Sequence, residues 1–261
     1  MAPFDELAEP RLVADLAAQA EAAGWDGFFV WDHVAYREPV RAVADPWVVL
    51  AACAMRTERL LLGPMVTPLA RRRPHQLARE TVTLDRLSGG RLVLGVGLGS
   101  ERTGEFDPAR FGEEGDPRAR ARLLDDGLER LLEFWGGGFE PLPLQQPRIP
   151  VWVALRWPNR RPLRRAARFD GAFPIDLPGP EALAEIAAEL PRLGVSVRRT
   201  DPTFSAARAG PRGNPGFELV AGIEPDEDPA PWAAAGATWC LTGFGPQPTE
   251  AAVRAAVAAG P

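Results

Sequence analysis

Asp32 and His33 are the first residues whose types and placement could do chemistry. In the stretch GWDGFFVWDHV, Gly24 to Val34, the apolar run Phe28-Phe29-Val30-Trp31 ends abruptly in this pair. A carboxylate beside an imidazole at the end of a buried strand is a candidate acid/base unit, because imidazole titrates near neutral pH. Successive side chains of a strand point to opposite faces. One member of the pair is therefore expected to face the mouth of the fold, and the other the adjoining loops. The competing reading is structural: Asp32 caps a turn and His33 packs beneath it. Periodicity alone leaves both open. Metal binding is the weaker reading. The other histidine, His75 in RRRPHQLARE, stands at a helix start where a solvated or capping role suits it, and no Asp/Glu cluster completes a ligand set.

Two further stretches carry weaker signals. GVGLGS, Gly95 to Ser100, follows a strand pattern but lacks the GxGxxG spacing, and no helix opens directly after it. Its glycines fit either a plain turn or a backbone that a flat ligand approaches closely. In VALRWPNRRPLRRAARFDG, Trp157-Pro158-Asn159 reads as the entry to a helix capped by Asn159. Free N–H groups there, with Arg156 beside them, would suit a phosphate. A helix capped for its own sake ranks ahead, since most capped helices bind nothing.

The elements that must position these residues alternate in period. Leu12, Val13, Leu16, Ala17, Ala20 and Ala23 make one helical face, which Gly24 ends. The strand Gly27–Trp31 follows, then a helix capped by Asp45 with Pro46 in its first turn, then the strand Leu60–Val66. A helix from Pro74 stops at Ser88-Gly89-Gly90, and Arg91–Val96 is the next strand. A polar, acidic loop from Gly97 to Pro117 is a candidate lid. The helix with Leu124, Leu128, Leu131 and Trp135 on one face leads to the strand Val151–Leu155. Beyond it the beat repeats less cleanly, with strands at Gly171–Pro174, Phe217–Ile223 and Thr238–Thr242. Val195–Pro215 has no clear period and reads as an excursion.

Strands that are apolar on both faces and alternate with helices imply a parallel sheet covered by helices. About eight such units in 261 residues predict an α/β fold of the (β/α)8, TIM-barrel type, one domain over residues 1–261. An open doubly wound sheet is the runner-up. The first strand of the barrel is short or missing, because only Met1-Ala2-Pro3-Phe4 precedes the first helix.

Composition narrows the partners. The net charge of −5 gives no reason to expect nucleic acid or an anionic membrane. Every cation is arginine, as a GC-rich coding sequence would produce, so Arg71-Arg72-Arg73 receives no weight of its own. Cys53 and Cys240 are far apart in apolar settings and read as buried free thiols of a cytoplasmic protein. No signal-peptide pattern and no membrane-spanning run is present.

The segments AEAAGWDGFFVWDHV, LLLGPMVTPLARRRPHQLARETVTLDRLSGGRLVLGVGLG, IPVWVALRWPNRRPLRRAARFDGAFP and AAGATWCLTGF, in this order, resemble the bacterial-luciferase-like superfamily of flavin- and deazaflavin-dependent oxidoreductases. The resemblance implies a TIM-type barrel, often a homodimer, that binds F420 or FMN at the C-terminal rim. It also implies hydride transfer, or monooxygenation with reduced FMN, on a small organic substrate. Carried over by position, it places Asp32 and His33 beside the ring and substrate, and Val66 and Thr67 against the ring. Gly97, Gly99, Ser100 and Arg102 would flank ring and tail, with Arg156, Pro158 and Asn159 near the phosphate. On that reading His33 handles the proton that accompanies hydride transfer, and Asp32 fixes its tautomer or orients the loop. Leu155 stands where relatives commonly carry glycine, which predicts a less close approach of phosphate. The alternative is a non-catalytic cofactor-binding or structural barrel. A metal-dependent barrel hydrolase is discouraged by the scarcity of histidine.

Overall fold

The computed structural model describes residues 1–197 and 216–261. The excursion read at Val195–Pro215 lies outside the described residues from position 198 onward. In chain order the elements are α1 Pro10–Ala22, β1 Gly27–Val30, α2 Pro46–Arg56, β2 Leu61–Pro64, β3 Thr67–Pro68, α3 Pro74–Leu87, β4 Leu94–Gly97, α4 Pro108–Phe111 and α5 Pro117–Glu133. There follow β5 Val151–Leu155, α6 Arg160–Ala166, β6 Gly171–Pro174, α7 Pro180–Glu189, β7 Glu218–Ile223, α8 Ala230–Ala234, β8 Trp239–Thr242 and α9 Glu250–Ala259. Among the described residues no helix is long and apolar enough to cross a membrane.

The strands are parallel, and neighbours in the sheet are neighbours in sequence: β3-β4-β5-β6-β7-β8 form one sheet, and β1-β2 another. A doubly wound sheet would reverse its order at a switch point; this one does not, so the wall curves into a barrel. The expected strand Leu60–Val66 is divided. β2 and β3 are two halves of one stave, meeting at the cis peptide Met65-Val66. Leu62 N–H donates to Arg91 O (2.9 Å) and Val93 N–H to Leu62 O (2.8 Å), which joins the two sheets into a continuous wall.

Side chains alternate across that wall as period two requires. Val151, Val153 and Leu155 pack outward against the helices, while Trp152 faces in. Phe29, Met65, Val93, Trp152 and Val220, with Phe173, Trp239 and Leu241, fill the interior. Glycines make room for the large rings. A Cβ on Gly171 would lie 2.6 Å from the Trp152 ring, and one on Gly27 would lie 3.3 Å from the Trp239 ring.

Met1 adds one rung beside β1. Met1 N donates to Phe29 O (2.7 Å) and Trp31 N–H to Met1 O (3.0 Å), a parallel pairing alongside β1. Among the described residues no ladder joins β8 to β1. Side chains bridge the seam without filling it. Phe29 and Trp239 meet edge to face at 6.2 Å. Outside them, Trp25 Nε1 donates to Val257 O (3.0 Å) and Arg254 to the Gln19 carbonyl oxygen (2.9 Å), which fastens α1 to α9.

At the opposite end from the rim, Arg91 is a buried staple. Its guanidinium donates to Ser88 O, Thr57 Oγ1, Leu60 O, Ala54 O and Thr57 O, joining α2, α3 and β4. Burial lowers its pKa, yet arginine starts high enough to stay charged. Arg91→Ala is expected to cost on the order of 3 kcal/mol or more, because several buried acceptors lose their donor at once. Arg91→Lys restores only part, since an ammonium cannot span that fork. Urea midpoints of the three proteins check this; an unchanged midpoint for the alanine variant contradicts it.

Both cysteines are free. Cys53 is buried, and desolvation pushes its thiol up to about 12. Cys240 is only half-buried, because it stands at the open seam.

Candidate functional site

One cleft of about 1890 Å³ opens at the C-terminal ends of the strands and runs down the seam between β8 and β1 as far as Trp25, Val257 and Pro261. Side-chain alternation continues past β1 into the loop, and it separates the Asp-His pair. His33 lines the cleft. Asp32 turns the other way and is 1 % exposed. Thr67 Oγ1 donates to its Oδ2 (2.9 Å), and Arg71 and Arg72 each donate to its Oδ1 (2.8 Å). Burial would raise the Asp32 carboxyl, but the Arg72 and Arg71 guanidiniums outweigh it and hold the pKa below the ordinary value. Asp32 is therefore an anchor beneath the rim. The expectation that it fixes the tautomer of His33 is corrected, because its carboxylate is committed to the two arginines. Arg71 and Arg72, given no weight in the sequence, are the reason it can be buried.

The partner of His33 is Glu105, which is fully buried. His33 Nδ1 lies 3.1 Å from Glu105 Oε2, and Val34 N–H donates to the same oxygen (3.3 Å). The loop after β4 delivers Glu105 by a specific path. Ser100 caps a single turn, Glu101–Thr103, and Gly104 reverses the chain at φ +77°. Phe106 then tucks under the Arg120 guanidinium, 4.4 Å from its ring centre. Arg120 donates to Glu101 Oε1 (2.5 Å) and to Gly115 O (2.8 Å), so the acidic loop is organised around one buried arginine. Around the imidazole stand Phe4, Trp31 and Tyr36, with ring centres 5.7, 5.8 and 5.2 Å away.

The remaining expected residues divide between cleft and support. Val66, Gly97 and Gly99 line the cleft, as do Ser100, Arg102, Arg156 and Asn159. Thr67 and Pro158 are not among its walls. A Cβ on Gly97 would lie 2.8 Å from Val66 Cγ2 and 3.4 Å from Ala154 Cβ, and one on Gly99 only 2.2 Å from the Phe106 ring. Both positions therefore require glycine because neighbouring side chains already fill the Cβ space, and both still line the cleft. What results is a low apolar floor of Val66, Gly97 and Ala154 at the ends of adjacent staves. Leu155 packs into the helix–sheet core and also borders the cleft beside Ala154 and Arg156.

Beyond the floor the wall carries Arg102, Arg156 and Arg165, with Asp176 among them. Asn159 caps α6 by accepting from Arg161 N–H (3.2 Å). Arg156 pairs with Asp176, and Arg165 with Asp125. Arg102 forms no ion pair among the described residues and is exposed to the cleft. A flat apolar floor between an imidazole and a set of arginines fits a planar ring bearing an anionic tail. The sequence held no sign of Glu105, which looks like any other acid of a polar loop. Nor did it show Trp31 and Tyr36 as neighbours of His33.

Comparison with known proteins gives a consistent picture. Residues 3–208 match the luciferase-like monooxygenase family. An F420-dependent glucose-6-phosphate dehydrogenase of Nakamurella multipartita is 34% identical over 135 residues, covering 49% of this chain and 38% of that protein. The oxygenase component of a flavin-dependent trigonelline monooxygenase from Acinetobacter baylyi is 26% identical over 170 residues, covering 60% and 44%. The chain thus spans less than half the length of these two curated relatives. Among solved structures, the monooxygenase RslO1 from Streptomyces bottropensis superposes with a TM-score of 0.67 at 18% identity, covering 95% of this chain and 90% of that one.

Proposed function

Since the chain belongs to the luciferase-like monooxygenase family, we propose that residues 1–261 form one barrel domain of an oxidoreductase that uses F420 or FMN on a small organic substrate. The observation that carries this reading is the single cleft in which His33, the Val66–Gly97–Ala154 floor and the Arg102–Arg156–Asn159 wall meet. The names of the two relatives, one F420-dependent and one flavin-dependent, support the same chemistry. When bound, such a cofactor supplies hydride transfer or, as reduced FMN, oxygen activation.

The chain's own residues bind, orient and move a proton. Val66, Gly97, Gly99 and Ala154 offer an apolar surface for the ring. Ser100, Arg102, Arg156 and Asn159 hold the anionic tail. Pro158 shapes the turn that presents Asn159. Trp31 and Tyr36 exclude water beside His33, whose Nε2 gives or takes the proton that accompanies redox chemistry. Asp32 and Thr67 support that arrangement from below.

Titration with FMN and with F420, followed by absorbance and fluorescence, tests the proposal. Saturable binding of one of them below about 1 mM is expected, and Arg102→Ala should weaken it about tenfold. Failure of both to bind would remove the reading. The open seam between β8 and β1 favours a second reading, a barrel that binds the cofactor without turnover. Binding without cofactor oxidation by any substrate class offered would select it.

A further inference from the structure

We propose that Glu105 is a positioning residue that holds His33 in a single tautomer, with hydrogen on Nδ1 and the lone pair of Nε2 left for the cleft. This rests on the reading of His33 as the proton-handling group. Three observations carry it. Glu105 Oε2 accepts from Val34 N–H, and the ring nitrogen 3.1 Å away is placed to donate to the same oxygen. Its other oxygen, Oε1, is buried without a hydrogen-bond partner. The fully buried carboxylate is thus compensated chiefly by the His33 and Val34 donors, with Arg71 more distant at 3.8 Å. Losing the imidazole donor would be costly. Finally, Phe4, Trp31 and Tyr36 surround the ring and hinder its turning over.

The arrangement has a chemical consequence. A neutral imidazole with its Nδ1 hydrogen given to a carboxylate is ready to accept a proton at Nε2, and the carboxylate then stabilises the imidazolium formed. No further group is needed: the proton moves from the reacting molecule to Nε2 and returns by the same atom. Glu105 touches neither cleft nor substrate and acts only through His33.

The chain contains two histidines, so the test is direct. Ligand-free protein labelled with ¹⁵N-histidine is recorded by NMR above neutral pH, with His75→Gln identifying the His33 signals. His33 is expected to carry hydrogen on Nδ1. In Glu105→Ala the ratio of Nδ1–H to Nε2–H forms should fall about tenfold or more, with the far-ultraviolet circular dichroism unchanged. Glu105→Gln, which keeps the shape and a weaker acceptor, should fall between the two, and it is read alone if the alanine variant does not fold. An Nε2–H tautomer in the native protein overturns the proposal. So does a tautomer ratio that neither folded variant changes. These spectra need no cofactor. Failure here leaves the FMN and F420 titrations standing, while failure of those titrations with His33 held on Nδ1 would strike the functional reading instead.

Discussion

Asp32→Ala is expected to destabilise the protein by about 3–5 kcal/mol, enough to leave many domains largely unfolded. The variant strands two guanidiniums, Arg71 and Arg72, whose side chains are only 7 % and 18 % exposed. It also removes the acceptor of the buried Thr67 hydroxyl. Asp32→Asn keeps the shape and should retain the Thr67 bond, yet it still loses the charge, so most of the penalty remains. The sign of the pH dependence follows from the depressed pKa of the native carboxyl. The contribution of Asp32 is present above the unfolded value of about 3.9 and disappears as pH falls through the lower folded value. Denaturant melts from pH 7 down to pH 3 should therefore show a loss in the native protein that is smaller in Asp32→Asn. Equal acid limbs, or a variant as stable as the native chain at pH 7, would disprove the anchor role.

His33→Gln should act on the opposite axis. Turnover of whichever substrate the native protein accepts is expected to drop by about 10²–10⁴, the range for loss of a positioned general acid or base. Stability should fall by about 1–3 kcal/mol, less than in Asp32→Ala, because Glu105 loses the imidazole donor but keeps Val34 N–H. Binding of the cofactor, read by fluorescence, should stay within a few-fold, since Arg102, Arg156 and the Val66–Gly97–Ala154 floor are untouched by the change. Single-turnover kinetics of cofactor oxidation separate the two quantities. Native-like turnover in the variant would show that the proton travels elsewhere and would return His33 to a packing role.

The architecture was legible because it rests on period and punctuation. Alternating strands and helices, and the caps at Asp45 and Asn159, are local facts, and each element appears within a few residues of its expected place. The split of Asp32 from His33 could be foreseen for the same reason, since adjacent strand residues must diverge. Contacts that depend on where a loop folds back were not visible. Glu105 stands 72 positions from His33 and in sequence resembles Glu113 or Glu114; only the turn at Gly104 and the seating of Phe106 bring it inward. Arg71 and Arg72 were hidden by the abundance of arginine. Gly97 and Gly99 were recognised as glycines that matter, but composition cannot say whether a ligand or a neighbouring side chain fills the space. The division of the stave that holds β2 and β3, at Met65-Val66, carried no compositional mark.

The seam between β8 and β1 sets this cylinder apart from one closed by backbone all round. Every other junction is written in amide groups, which every residue but proline supplies in full. Here closure depends on Phe29, Trp239 and Trp25, and on the arginine that reaches Gln19. A substitution at one of these side chains therefore acts on closure itself.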